Sequence, residues 1–76
     1  NTDSLFKIFD LTEEESKSLI ENKLSLPAYD LCLKASHIFN ILDARGVISV
    51  AQRAEYIARI RDLVKDVGKI WLESQK

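Results

Sequence analysis

Several residue types that stabilise or specialise small proteins are scarce in this 76-residue chain. Cys32 is its one cysteine, which excludes an intrachain disulfide and a cysteine-based zinc site and favours a reducing, cytoplasmic location. Its longest uncharged stretch, Ala35 to Leu42, is far shorter than the roughly 20 apolar residues of a membrane span. We therefore expect neither a membrane anchor nor a signal peptide.

Methionine is absent even from the first position, which predicts that the chain was excised from a longer protein. The net charge is −1, so there is no overall attraction to nucleic acid or to anionic lipid. The length and the 46% hydrophobic content predict a single small domain over 1–76, with a marginal core.

Glycine and proline are also scarce, and helical periodicity is interrupted only near 24–27 and 44–49. The pattern predicts an all-α, three-helix arrangement with short connections. The predicted helices cover about 3–23, 27–43 and 50–73.

Local signals fix some of these boundaries and leave one open. Thr12 begins a T-x-x-E capping-box pattern, so a break of the first helix near residue 11 is an alternative to a continuous helix. Pro27 suits the first turn of the second helix, and Gly46 suits a turn with positive φ. Ser49 begins an S-x-x-Q pattern, which predicts a second capping box at the start of the third helix.

The second helix has two uncharged sides. One is an ordinary core stripe of Leu31, Ala35, Ile38, Phe39 and Leu42, with Cys32 at its edge. The other uncharged side of this helix has too little charge for a solvated face and too little apolar area for a core. This composition favours burial of that side by a partner. We predict a subunit interface there, and the rival is that the first helix covers this face. The predicted interface consists of Tyr29, Leu33, Ser36, His37 and Asn40.

The third helix carries an apolar arc that is too wide for one neighbour. The arc consists of Val50, Ala54, Ile57, Ile60, Leu63, Val64, Val67 and Trp71, with Tyr56 and Ile70 at its margin.

Two arginines lie on or beside this arc, Arg53 within it and Arg61 at its edge. Because an unpaired cation on an apolar face is costly, we expect Arg53 to pair with Asp43 or Asp30, and the alternative is a contact with RNA or another subunit.

Arg59 lies on the solvated face of the third helix, where we expect it to be half of a weak surface pair with Glu55 or Asp62. The other cations that could contact RNA are Lys34, Arg45 and Arg61.

Catalytic constellations are missing from the chain. His37 and Cys32 are offset by about 140° on one helix and cannot form a dyad, so we expect a packed, hydrogen-bonded histidine and a buried thiol. The consecutive acids 13–15 point in different directions and cannot converge on one metal ion. No glycine-rich phosphate loop is present. We predict no catalytic, cofactor or metal residue in this segment.

A combination of many uncommon residue identities at fixed spacing extends from Leu26 to Arg61. These residues are Leu26-Pro27-Ala28-Tyr29-Asp30, Lys34-Ala35-Ser36-His37, Phe39-Asn40, Leu42-Asp43-Ala44-Arg45-Gly46, Ile48-Ser49-Val50, Arg53, Tyr56-Ile57 and Arg59-Ile60-Arg61. In these residues the chain resembles the carboxy-terminal part of the α subunit of bacterial heterotetrameric glycyl-tRNA synthetase. The resemblance is dense over 26–63, looser over the last dozen residues, and limited to helical character over 1–23.

This resemblance implies a parent enzyme of class II that forms glycyl-adenylate from glycine and ATP with Mg²⁺ and then charges tRNA(Gly). It implies an α2β2 assembly in which the α subunit holds the catalytic core, upstream of this segment, and the β subunit recognises most of the tRNA. We therefore expect an accessory domain that serves subunit assembly or tRNA placement. The alternatives from other classes are a free-standing helical interaction module and a small RNA-binding domain.

Overall fold

The computed structural model describes residues 1–75 and consists of helices joined by short connections. Helix α1 covers Thr2–Glu21, α2 covers Ser25–Ala44 and α3 covers Val50–Ser74. The predicted all-α, three-helix arrangement is confirmed. Helix α1 packs chiefly against α2 and touches α3 less extensively.

Helix α1 is continuous, so the alternative with a break near residue 11 is wrong. Its amino-terminal cap is Asn1, whose Oδ1 accepts a hydrogen bond from the Ser4 N–H at 3.1 Å. The Thr12 hydroxyl instead donates to the Ile8 carbonyl at 2.6 Å, one turn back in the same helix. Thr12 is buried, and this bond satisfies its hydroxyl without interrupting the helix.

The end of α1 lies two residues before the predicted boundary, because Lys23 adopts a left-handed conformation with φ of 60°. The Lys23 N–H bonds to the Ile20 carbonyl and the Leu24 N–H to the Leu19 carbonyl, both at 2.9 Å. These two bonds are those of a Schellman motif, which usually carries glycine at the position of Lys23.

The boundaries of α2 and α3 follow the predicted signals closely. Helix α2 begins at Ser25, which places Pro27 in its first turn. Gly46 has φ of 70° and donates its N–H to the Asp43 carbonyl at 3.0 Å. Both bonds of the capping box between Ser49 and Gln52 are present, at 3.1 and 2.9 Å.

The core consists of two clusters of buried side chains. In the larger one the rings of Phe9 and Tyr56 meet edge to face, with centroids 4.7 Å apart. The larger cluster contains Phe9, Ala35, Ile38, Phe39, Leu42, Ile48 and Tyr56. The smaller cluster contains Ala28, Cys32, Leu63 and Val67.

A buried serine joins α1 to α2 beside the smaller cluster. Ser16 is fully buried, and its hydroxyl donates to the Ala28 carbonyl at 3.1 Å and lies 3.6 Å from the Cys32 sulfur. Burial raises the pKa of the Cys32 thiol. Cys32 is thus a small buried hydrophobe, as predicted, although it lies inside the core rather than at its edge.

The predicted arc of α3 divides into a buried and an exposed part. Tyr56 and Ile70, expected at its margin, are buried together with Leu63 and Val67, whereas Ile57 is 40% exposed. The reason is that α1 and α2 both lie on one side of α3. The large side chains of the arc that remain exposed are Val50, Ile57, Val64 and Trp71.

Candidate functional site

The predicted interface on α2 is an open surface. Leu33 and Tyr29 keep 53% and 44% of their areas exposed, and His37 and Asn40 are also exposed, while Ser36 is half-buried. Helix α1 therefore does not cover this face, and the rival arrangement is wrong. His37, predicted as a packed and hydrogen-bonded residue, has its side chain at the surface of this domain.

One end of this face opens into a concavity of about 270 Å³ between α2 and α3. Apolar side chains form most of its wall, and the Trp71 ring, the chain's one tryptophan, lies along one side. The lining residues are Ser25, Leu26, Tyr29, Val64, Val67, Gly68 and Trp71.

The other end of the same helix pair is joined by an ion pair. Arg53 donates to Asp43 Oδ1 from Nε at 3.0 Å and from Nη2 at 2.7 Å. Of the two carboxylates considered for Arg53, the structure brings Asp43 to it. Both side chains are substantially exposed, so water screens the pair and its contribution to stability is small.

The remaining cationic candidates do not join this pair. Lys34 borders a separate depression between α1 and α2, near Leu11 and Glu15. Arg45 and Arg61 are exposed, and neither they nor Lys34 make an ion pair with a carboxylate within residues 1–75. The candidates for tRNA contact are therefore spread over different elements.

Arg59 lies in a charged cluster that the sequence did not predict. Its partners are not Glu55 or Asp62 of its own helix but carboxylates of α1. Its guanidinium bonds to Glu13 at 3.0 and 2.6 Å and to Asp10 at 2.8 Å. It also lies 4.8 Å from the ring centroids of both Phe9 and Tyr56.

The electrostatics at this cluster favour the charged forms of both Arg59 and Glu13. Hydrogen bonding from Arg59 holds the pKa of the Glu13 carboxyl below its ordinary value, even though partial burial opposes this. The bond to Glu13 likewise raises the pKa of Arg59. Burial raises the pKa of the Tyr56 hydroxyl. Because these charges satisfy one another, the cluster is a structural clamp between α1 and α3.

A comparison with known families decides the identity of the domain. The sequence profile described as glycyl-tRNA synthetase alpha subunit matches residues 1–76, the whole chain. The chain belongs to that family. The match includes α1, where the residue resemblance was limited to helical character.

The glycyl-tRNA synthetase alpha subunit family is a family of aminoacyl-tRNA ligase subunits. Within residues 1–75, no group of three or more His, Cys, Asp or Glu side chains is placed to hold a metal ion. No helix in that range has the length and hydropathy that crossing a membrane requires.

Proposed function

We propose that this chain is an accessory helical domain of a glycine-tRNA ligase α subunit, and that it joins the α subunit to the β subunit. In this account a class II catalytic core elsewhere in the α subunit binds ATP and Mg²⁺, forms glycyl-adenylate and takes part in charging tRNA(Gly). The assembled enzyme is a cytoplasmic α2β2 tetramer. The domain itself performs no chemistry.

The open α2 face is the observation that supports this proposal most strongly. Leu33 and Tyr29 expose apolar surface although the domain has a complete core of its own. The face contains no Asp, Glu, Lys or Arg residue. Depletion of charge together with exposed aromatic and amide groups is typical of the centre of a protein interface. The tyrosine also supplies the large amphipathic contact that interfaces favour.

Direct tRNA binding by this domain has less support than assembly. The net charge is −1, and Arg53 is already engaged by Asp43. A surface that binds nucleic acid usually collects several unpaired cations on one face. We therefore place tRNA contact in the assembled enzyme and treat autonomous RNA binding as an outcome to be tested.

Deleting the domain from the α subunit tests this division of labour. We expect the deleted subunit to retain glycine-dependent ATP-pyrophosphate exchange, which reports adenylate formation, and to lose both co-purification with β and charging of tRNA(Gly). Circular dichroism confirms that the remaining core is folded. Retained association with β, or loss of exchange by a folded core, would contradict the proposal.

Salt-dependent tRNA binding separates assembly from the RNA-binding alternative. If the domain served RNA directly, the 76-residue chain would bind tRNA with an affinity that falls steeply as salt rises. We expect no measurable binding even at low ionic strength. Saturable binding under those conditions would favour the RNA-binding alternative.

A further inference from the structure

The exposed residues of the α3 arc, taken together with Arg61 and Gly68, have the spacing of a helix-pairing seam. Its positions alternate by four and three residues, which keeps them on one side of the helix over its length. All of them are exposed in the structure. The seam consists of Val50, Ala54, Ile57, Arg61, Val64, Gly68 and Trp71.

This seam and the open α2 face meet at the concavity between α2 and α3, which is lined by Tyr29 of the face and by Val64, Gly68 and Trp71 of the seam. Helices α2 and α3 run in opposite directions, since Asp43 near the end of α2 meets Arg53 near the start of α3. At the other end, Tyr29 of α2 and Trp71 of α3 line one concavity. We call the space between these two antiparallel helices the groove, and its apolar concavity is the kind of site that accepts a side chain from a third helix.

Gly68 provides an independent sign that something approaches this groove from outside. A glycine inside a helix costs about 1 kcal/mol relative to alanine, and Gly68 lies well within α3. A Cβ built there would meet no atom within 4 Å, so packing inside this domain does not require glycine. Gly68 lines the concavity, where a missing side chain leaves room for one from a partner.

The charge on the seam indicates which kind of partner helix can pack against it. Arg61 lies near its middle, and Lys65 follows one turn later; neither makes an ion pair with a carboxylate in residues 1–75. A second copy of α3, packed in register or antiparallel about the centre, would bring Arg61 against Arg61. Two arginines that face each other repel, which disfavours self-association. A different partner helix that places a carboxylate opposite Arg61 is attracted instead.

We propose that the groove between α2 and α3 binds an amphipathic helix of the β subunit. That helix places a large apolar side chain in the concavity beside Gly68, and an aspartate or glutamate within its apolar stripe pairs with Arg61. The proposal rests on the assembly function above, but it adds α3 to the interface and specifies the chemistry of the occupant.

The variant Gly68→Leu tests the groove without removing any contact of the fold. The new side chain enters open space in the domain and fills the concavity, and leucine is a better helix former than glycine. In the intact α subunit we expect affinity for β to fall on the order of tenfold or more, with the thermal midpoint retained or raised. Unchanged affinity would overturn the groove proposal.

Ala51→Leu is the matched control, because it adds the same side chain at an exposed position at the opposite end of α3. It should leave β binding unchanged.

Comparing Gly68→Leu with Leu33→Glu separates this proposal from the assembly function. If Leu33→Glu releases β but Gly68→Leu does not, assembly through α2 stands and the groove proposal fails; if neither releases β, both fail.

The occupant is identified by placing a photo-crosslinking residue in the groove, as Trp71→benzoylphenylalanine in the reconstituted αβ enzyme. We expect a covalent adduct with one β helix that carries an acidic residue within an apolar stripe. Arg61→Glu should weaken β binding, and reversing that acidic residue to arginine should restore it. Adducts only with a second α subunit or with the catalytic core, or failure of the charge reversal to restore binding, would overturn the proposal.

Discussion

The Arg59 guanidinium of α3 donates two hydrogen bonds to the Glu13 carboxylate of α1, from Nε at 3.0 Å and from Nη2 at 2.6 Å. Glu13 retains only 13% of its side-chain exposure, and the guanidinium stacks against Phe9 and Tyr56. Helix α1 touches α3 less extensively than it touches α2, and this cluster is a point at which that contact combines paired charges with aromatic rings. A two-point bond to a largely buried carboxylate is geometrically specific.

Removing this clamp should cost far more stability than removing the surface pair. We expect Arg59→Ala to lower the free energy of unfolding by about 2 to 4 kcal/mol, because it leaves Glu13 charged and largely buried without its partner. Arg53→Ala should cost about 1 kcal/mol or less, since both members of that pair are well exposed. Urea unfolding of the two variants of the 76-residue chain measures the difference, and equal costs would contradict the clamp.

Stability should fall in acid through the Glu13 carboxyl. Its pKa is lower in the folded chain than its ordinary value of 4.5, so its stabilising contribution is complete above that value and is lost as the pH falls through the folded pKa. Unfolding midpoints measured from pH 7 to pH 2 should decline below about pH 5. The variant Glu13→Gln should be less stable at pH 7 and show a shallower decline. An unchanged slope would show that other groups govern acid unfolding.

The left-handed Lys23 offers a stabilising substitution. Glycine adopts φ of 60° without the steric penalty that a side chain brings, so Lys23→Gly should stabilise the chain by about 1 kcal/mol. The substitution also removes the exposed ion pair of Lys23 with Glu73 at 3.2 Å, which contributes little. Glu73→Ala measures that loss alone. A thermal midpoint of Lys23→Gly below that of Glu73→Ala would contradict the argument.

Sequence signals that act over a few residues predicted the helix boundaries well. The capping box at Ser49 and the positive φ of Gly46 depend on neighbours within a few residues, and both are present. The break predicted before Thr12 is absent, because a T-x-x-E pattern marks a helix start only where the backbone is free to turn. Here the same threonine is buried and bonds inside the helix, with Phe9 and Ser16 buried on the same side.

Long-range pairing could not be predicted in the same way. A helical wheel placed Arg59 near the acids of its own helix, whereas its carboxylates lie 46 and 49 residues away in sequence, on α1. The wheel also treated the α3 arc as one surface, because it contains no information on where two neighbouring helices sit. The uncharged α2 face was visible in the sequence, but the concavity beside Gly68 depends on how α2 and α3 pack.

The most direct measurement of the assembly function is the affinity of the α subunit for β, obtained by sedimentation with Leu33→Glu. Leu11→Glu is the matched control, since Leu11 is 64% exposed on α1 and lies away from the proposed interface. We predict that both variants fold like the wild type, that Leu33→Glu loses association with β, and that Leu11→Glu retains it. Wild-type association by a folded Leu33→Glu subunit, or unfolding of the domain by this substitution, would contradict the account.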